Sequence, residues 1–438
     1  MATYGSTPGV RIETSTGVVA GVTIGRESHL VLIGAGGETA TAAPNDPVNI
    51  ESRNDADDLF GEESDLATAY RDALANGANP DFIHGIRASV TTETETGVTD
   101  DFGTLTNYPI VPDHSRTNVD DAGTELEVKF RYEEPIDPPA DQGVIHINPH
   151  TGEWDAEVDI DPDLNIEYVY ADWDSAVAAS NDAIGEAEFG VIAPLTNATS
   201  VGESLETVLP EMRDDMKMVV GVMGAEPNGT DSDYPHWNTS EFTNTFDNST
   251  LFLVGPTALD EAETESGLNG VEALGAVSGL LAGNSNTDPI YNDSLSGVGS
   301  MYQSLSRSEV SDLRDMYVIP LRDTGTIRLM DNHSTYDQDT NGGWERDFFR
   351  RRIVDLTIVT IYQIARRQIG SILDSDTVAD VQDALDVELD DLQEDGLLET
   401  GGQQVNVYRA DDRTLGIDAT ITPYGVTKAA EVELEINA

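Results

Sequence analysis

Chemistry needs particular side chains at particular spacings, and few stretches of this sequence supply them. Gly34 to Ala40 reads GAGGETA directly after a strand-like run. Glycines there would let a backbone approach a dinucleotide pyrophosphate, with the next helix N-terminus facing the negative charge. Thr39 stands where a third glycine belongs and no helical pattern follows, so a tight turn is the better reading. Asp159, Asp161 and Asp163 alternate in DIDPDLN, the donor spacing of a calcium loop. Leu164 and Tyr170 stand where that loop needs a glycine and a closing glutamate, which leaves an acidic turn. His146 and His150 are the closest histidines, but Pro149 breaks any helix that could bring them to one face. No serine sits in a G-x-S-x-G elbow. Cysteine is absent, which excludes disulfides and thiolate metal sites. Carboxylate pairs are everywhere in a chain with 82 acidic residues, so none of them marks a catalytic dyad. The expectation is no catalytic, cofactor-binding or metal site.

One run differs in charge from the rest. Arg346, Arg350, Arg351, Arg352, Arg366 and Arg367 lie within one helical length, with Asp347 and Asp355 as its acids. Between the clusters, Ile353, Leu356, Ile361 and Ile364 recur in steps of three and four, and Val354, Ile358 and Val359 widen the stripe. This predicts a mostly buried helix with charged ends. Two readings of the arginines stand. They are solvated or paired with local acids, or they meet an acidic surface on another subunit.

The elements around that run are legible from periodicity. SDTVADVQDALDVELDDLQEDG predicts a helix with Val378, Val381, Leu385, Leu389 and Leu392 inward. Asp376 or Thr377 would cap its start and Gly396 its end. LGIDATI and VELEI alternate as half-buried strands, with Val432, Leu434 and Ile436 on one face of the second. At the other end, Val10 and Ile12 alternate with Arg11 and Glu13, a strand with no evident local hairpin partner. HLVLIGAG reads as a buried strand. PNDPVNIESRNDADDLFG reads as a loop, a short strand and a turn. SDLATAYRDALANG is a helix with Leu66, Ala69, Tyr70, Ala73 and Leu74 inward, and DFIHGIRA a returning strand. From 96 to 172 the pattern changes to short alternating strands without a helix, as in LEVKFRYEEP and LNIEYVYADW. Beyond Ser175, strand runs FGVIAP, KMVVGVM, LFLVG and MYVIPL alternate with helical patterns. The order suggests a layered α/β domain carrying a β insert.

Composition bounds the setting. The chain has 438 residues, 82 acids and 23 bases, a formal charge of −59. Such charge strains a compact chain at low salt, and is tolerable where the screening length falls to about 3 Å at 1 M. The balance resembles that of haloarchaeal proteins and argues against direct nucleic-acid binding. Apolar residues make up 38%, enough for a core rather than a disordered chain. The N-terminus lacks the basic region and apolar core of a signal peptide, and the longest apolar runs are too short to span a membrane.

Several of these stretches together resemble the contractile tail sheath family of myovirus tails, R-type pyocins and related injection systems. They are PGVRIE near residue 10, the Gly-rich strand near 30, PVNIES before DLFG, the helix ending in NG, and the strand ending at Arg87. In the second half they are VSGLLAGNSNTDPIYNDSLSGV, TIRLM, the NGGWERDFFRRR block and the final VELEIN. The resemblance covers roughly 8–90 and 175–438. It implies a mixed α/β (α+β) sheath fold: an N-terminal arm over 1–20, a core over 21–95 and 173–340, an outward β-domain over 96–172, and a C-terminal domain over 341–438 that faces an inner tube and ends in an arm strand. It implies a homo-oligomer built as a helical sheath of six-fold rings. Val10, Arg11, Ile12 and Glu13 at one end, and Val432, Leu434 and Ile436 at the other, would exchange between subunits. The arginine helix would contact the inner tube protein; a baseplate and a tail terminator would be further partners. Such a particle is a virion tail or an extracellular device, assembled in the host cytoplasm. An α/β enzyme and an S-layer or adhesion protein remain the alternatives. The first lacks a site constellation; the second wants a signal peptide and mostly β content.

Overall fold

The computed structural model describes residues 2–4, 12–14, 28–62, 64–98, 100, 102–111, 116–130, 143–149, 152–156, 163–226, 244–257, 272–284, 290–301, 304–336, 346–367, 374–401, 403–411 and 414–424. The chain divides into two compact units, one of Met1–Gly25, Ser285–Asn292 and Gln338–Ala438, the other of Arg26–Asn284 and Asp293–Asp337.

The first unit opens with β1 (Ala2–Tyr4) and β2 (Ile12–Thr14), which pair antiparallel, Tyr4 opposite Ile12. This corrects the sequence reading, which gave β2 no local partner. The pairing partner is the short ATY run, too short for its periodicity to mark it as a strand.

The second unit carries β3 (Ser28–Gly34), β4 (Val48–Asn49), α1 (Arg53–Phe60), α2 (Asp65–Ala75) and β5 (Ile83–Arg87). A β module follows: β6 (Ser89–Val98), β7 (Phe102–Thr104), β8 (Asn118–Asp121), β9 (Thr124–Glu125), β10 (Glu127–Phe130), β11 (Val144–Ile147), β12 (Glu153–Ala156) and β13 (Leu164–Asp172). The core then resumes with α3 (Trp173–Ala179), β14 (Phe189–Pro194), α4 (Thr199–Asp214), β15 (Met218–Gly224) and β16 (Leu251–Gly255). It closes with α5 (Leu274–Gly283), α6 (Arg307–Asp315), β17 (Val318–Asp323) and β18 (Ile327–Leu329).

The core is an eight-stranded sheet in the order β18-β17-β16-β15-β14-β3-β5-β4. Its six middle strands are parallel and only the edges run antiparallel. Parallel strands are covered on both faces, which explains their uninterrupted apolar runs. Val31, Ile33, Ile192, Val219, Leu251 and Val318 look into one apolar layer with Val177, Leu205, Leu209 and Leu313 of α3, α4 and α6. On β3, the alternate residues lie toward α2 and α5: a Cβ on Gly34 would stand 2.9 Å from Leu66. α2 and α5 themselves approach backbone to backbone. A Cβ on Gly279 would stand 2.3 Å from Ala73 Cα, and one on Gly275 2.5 Å from Ala69 Cα. Four-residue spacing places these glycines along one ridge, so the helices interlock.

Two expectations give way here. The segment read as a turn after VNIE is helix α1. Ser52 caps it, its hydroxyl accepting from Asp55 N at 3.2 Å. Three aspartates hid the helix, because its buried side chains are only Ala56 and Phe60. The β module begins at Ser89, ahead of the expected boundary at 96. β6 and β13 pair along their whole length, Ser89 opposite Asp172. The module's two four-stranded sheets, β6-β13-β8-β9 and β10-β11-β12-β7, share a core of Val119, Ile145, Ile147, Trp154, Ile166 and Tyr168.

The first unit resumes with α7 (Phe348–Arg366), α8 (Ser375–Glu394), β19 (Gln404–Arg409) and β20 (Leu415–Thr420). Val381, Leu385, Leu389 and Leu392 of α8 are buried as the repeat requires. The cap is Asp374 rather than Asp376 or Thr377; its carboxylate accepts from both of those backbone N–H groups. Gly396 ends the helix at φ +73°. Its N–H reaches Gln393 O and the Leu397 N–H reaches Leu392 O, a Schellman closure. β19 and β20 form an antiparallel hairpin with Val407 opposite Ile417.

Candidate functional site

Helix α7 gathers the charge expected to matter. Asp347 caps it, accepting from Arg350 N at 3.1 Å. No acid stands in the first turn, while Arg350 and Arg351 do, with Arg352 just beyond, against the positive end of the helix dipole. The structure resolves that conflict by burial and pairing. Arg351 is 3% exposed and its Nε lies 3.2 Å from Asp355 Oδ1, one turn on, with Asp355 also fully buried. Arg352 is equally buried, its guanidinium 5.7 Å over the Phe348 ring. Burial pulls its pKa down to about 10, with the Asp355 charge pulling the other way. It remains a cation at neutral pH.

The expected charged ends are therefore only partly found. Arg351 and Arg352 are withdrawn inside, Arg346 and Arg350 are half-buried, and Arg366 and Arg367 are exposed, with Arg366 over the Tyr362 ring at 5.7 Å. Residues of α7 are buried around its whole circumference. Ile361 and Ile364 pack with Val381 and Leu385 of α8 and Val407 of β19. The mostly buried helix is as expected from the sequence; the depth of Arg351 and Arg352 is not, since a buried arginine looks like an exposed one until its carboxylate is located.

Of the strand-exchange residues, Ile12 and Glu13 lie in β2. Val10, Arg11, Val432, Leu434 and Ile436 lie outside the described residues, as do His150, Asp159 and Asp161. The other sequence candidates resolve as structure. GAGGETA closes a tight turn, Ala40 N bonding to Gly37 O at 3.1 Å. Arg116 donates to Gly36 O at 2.6 Å and Arg87 to Ala40 O at 2.9 Å, which fixes the turn. His146 is buried on β11. Asp163 N donates to Asp121 Oδ1 at 3.0 Å in the β module.

Two polar groupings escaped the sequence reading. Asp331 to Thr335 is a wholly buried polar stretch. There Asp331 pairs with Arg314 and Thr335 N donates to Leu251 O at 2.9 Å. His29, His84 and Glu188 meet at the start of three strands, although 55 residues separate the two histidines. Nothing in one-dimensional spacing announces either.

The crevice at which doubly wound sheets bind ligands lies where strand order reverses, outside the carboxyl ends of the strands. Here that point falls between β3 and β14. There Gly34, the last residue of β3, is closely packed: a Cβ on it would meet Leu66 at 2.9 Å and Leu195 at 3.4 Å. Among the described residues no helix is long and apolar enough to cross a membrane.

Solved structures similar to this chain include tail sheath proteins. The helical sheath of the anti-feeding prophage (AFP) in its contracted state is 14% identical, with a TM-score of 0.56 and 99% of both chains covered. The sheath tail protein Lin1278 from Listeria innocua is 12% identical, TM-score 0.52, covering 91% of this chain and 96% of that one. The sheath tail protein from Desulfitobacterium hafniense is 10% identical, TM-score 0.52, covering 95% and 100%. The fold is thus the mixed α/β fold of tail sheath proteins. No curated protein matches the sequence. Over residues 7–395 the sequence matches the family DUF2586, N-terminal domain, and the chain belongs to that family.

Proposed function

We propose that the chain is the structural subunit of a contractile tail sheath. It would polymerise as a six-fold helical cylinder around an inner tube, and contract to drive that tube through a cell envelope. The observation that carries this reading is the extent of the likeness. A subunit of a helical sheath aligns over 99% of both chains.

Several finer assignments go with it. The terminal strands, around Val10 to Glu13 and Val432 to Ile436, would pair with neighbouring subunits, since an open strand edge is an association site. With Arg351 and Arg352 engaged inside the chain, contact with the tube protein falls to Arg346, Arg350, Arg366 and Arg367. Baseplate and terminator proteins would cap the cylinder, and neither nucleic acid nor membrane would bind directly. The formal charge of −59 supports assembly at high salt, as in haloarchaeal hosts, in a virion tail or an extracellular particle.

Electron microscopy of the purified chain in concentrated salt tests the reading. Long hollow cylinders are the expected result. Monodisperse particles that never polymerise, with or without a tube, would overturn it.

A further inference from the structure

Three adjacent strands of the core sheet begin at one polar cluster. His29 lies near the start of β3, His84 on β5, and Glu188 immediately before β14. His29 Nδ1 is 3.2 Å from His84 Nε2, and His29 Nε2 is 3.0 Å from a Glu188 carboxylate oxygen. The two imidazole planes are within 16° of parallel, with centroids 5.4 Å apart. That separation is too large for face-to-face contact. It exceeds the N···N distance by about the two ring radii, so the nitrogens meet end to end. Phe82 covers His29 edge-on at 5.0 Å, and Asn49 of β4 stands opposite His84 in register. The Glu188 carboxylate is held by the Gly185 N–H at 2.7 Å. The His29 side chain is 13% exposed and that of Glu188 46%, so water reaches the cluster.

Donor and acceptor roles follow from the carboxylate. An ionised Glu188 only accepts, so His29 Nε2 carries a proton and donates to it. His29 Nδ1 then holds a lone pair and accepts from His84 Nε2–H. This assignment comes from the bonding pattern. It leaves His84 Nδ1 as the lone pair at the end of the chain.

We propose that Glu188, His29 and His84 form a one-proton receptor that latches the starts of three core strands together. A proton taken from solvent adds to the His84 Nδ1 lone pair. Both hydrogen bonds survive, and the new charge is relayed through His29 toward the carboxylate. A second proton must go to His29 Nδ1. That sets one N–H against another at 3.2 Å and makes two adjacent cations, so the latch opens. Burial lowers the proton affinity of both rings. Glu188 raises it, and each ring's charge opposes the other's. Phe82, packed on His29, and Asn49, opposite His84 in register, are neutral. Both folded pKa values thus lie below the unfolded value near 6.5, and the pair titrates as a unit. The latch's contribution is complete above pH about 6.5 and falls away as the pH drops through the folded values. The proposal stands on the core sheet alone and is independent of the sheath reading.

Long-range proton–nitrogen NMR of the histidine-labelled full chain, titrated from pH 8 to 4.5 in constant salt, tests it. Expected are Nε2–H tautomers on both rings at pH 8, first protonation at His84, and an affinity at least tenfold weaker at His29. Glu188→Gln should weaken the first protonation several-fold. The melting temperature should fall between pH 6.5 and 5 in the native chain, and stay level there in the His29→Phe/His84→Phe double variant. Independent titration of both rings near pH 6.5, an Nδ1–H tautomer on His29 at pH 8, or no response to Glu188→Gln would overturn the proposal. Should the double variant fail to fold, the tautomers and the Glu188→Gln titration still decide.

Discussion

Arg351 and Asp355 show what a single residue can hide. A lone charge in an interior is intolerable, yet a pair one helical turn apart can be accommodated. The sequence supplies the spacing, four residues, but says nothing of depth. Removing one partner leaves the other buried and uncompensated. Asp355→Ala should therefore destabilise the folded chain by about 3–5 kcal/mol, measured by denaturant unfolding. Replacing both, Arg351→Met with Asp355→Leu, should recover part of that loss, the remainder falling on Arg352, which is buried and also attracted by the Asp355 charge. A surface pair would behave differently: each single change would cost less than about 1 kcal/mol and the cost would shrink with salt. A salt-dependent loss of that size for Asp355→Ala would return Arg351 to the surface.

At the scale of elements, packing decided what periodicity could not. α2 and α5 were both legible as helices, but not as partners. Their contact is set by Gly275 and Gly279 lying against Ala69 and Ala73. Gly279→Leu would drive a side chain into the α2 backbone. We expect a loss of about 1–3 kcal/mol or more from overpacking, read by thermal unfolding. The exposed Gly325, with open space around it, is a control for volume but strained by its φ of +91°, so Gly123 and Gly325 changes calibrate the backbone cost alone. The β module is the second case. Ser89 and Asp172 are cross-strand partners, so the two ends of the module lie side by side. Joining Ala88 to Trp173 through a short glycine linker should leave the core sheet folded and cylinders still able to form. Loss of all assembly by a soluble, folded deletion variant would give the module a part in the lattice.

For the whole molecule, charge is the controlling quantity. At −59, self-repulsion opposes the compact state, and it is screened over about 10 Å at 0.1 M and about 3 Å at 1 M. The melting temperature should rise steadily between about 0.1 M and about 3 M sodium chloride as that screening length contracts. A melting temperature independent of salt would detach the acidity from the solvent. Polymerisation tests the chain ends. Deleting the last eight residues should give folded monomers or short rings and no long cylinders. Each ladder bond lost is worth only about 1 kcal/mol net, but a helical lattice loses it at every subunit. Normal cylinders from the truncated chain would remove the C-terminal strand from the assembly.

The sequence alone determined most elements and their types, because buried parallel strands and amphipathic helices write their periods into one dimension. HLVLIGAG, FGVIAP, KMVVGVM and LFLVG are all strands of the core sheet, and the α8 face from Val381 to Leu392 is buried as spaced. It failed where local polarity disguised the element, as in α1, and where a partner lay in a weak strand, as for β2. Tertiary structure alone decided strand order, the depth of Arg351 and Arg352, and the meeting of His29 with His84 and Glu188. Those depend on which distant segments become neighbours, and sequence separation carries no record of that until the sheet has assembled.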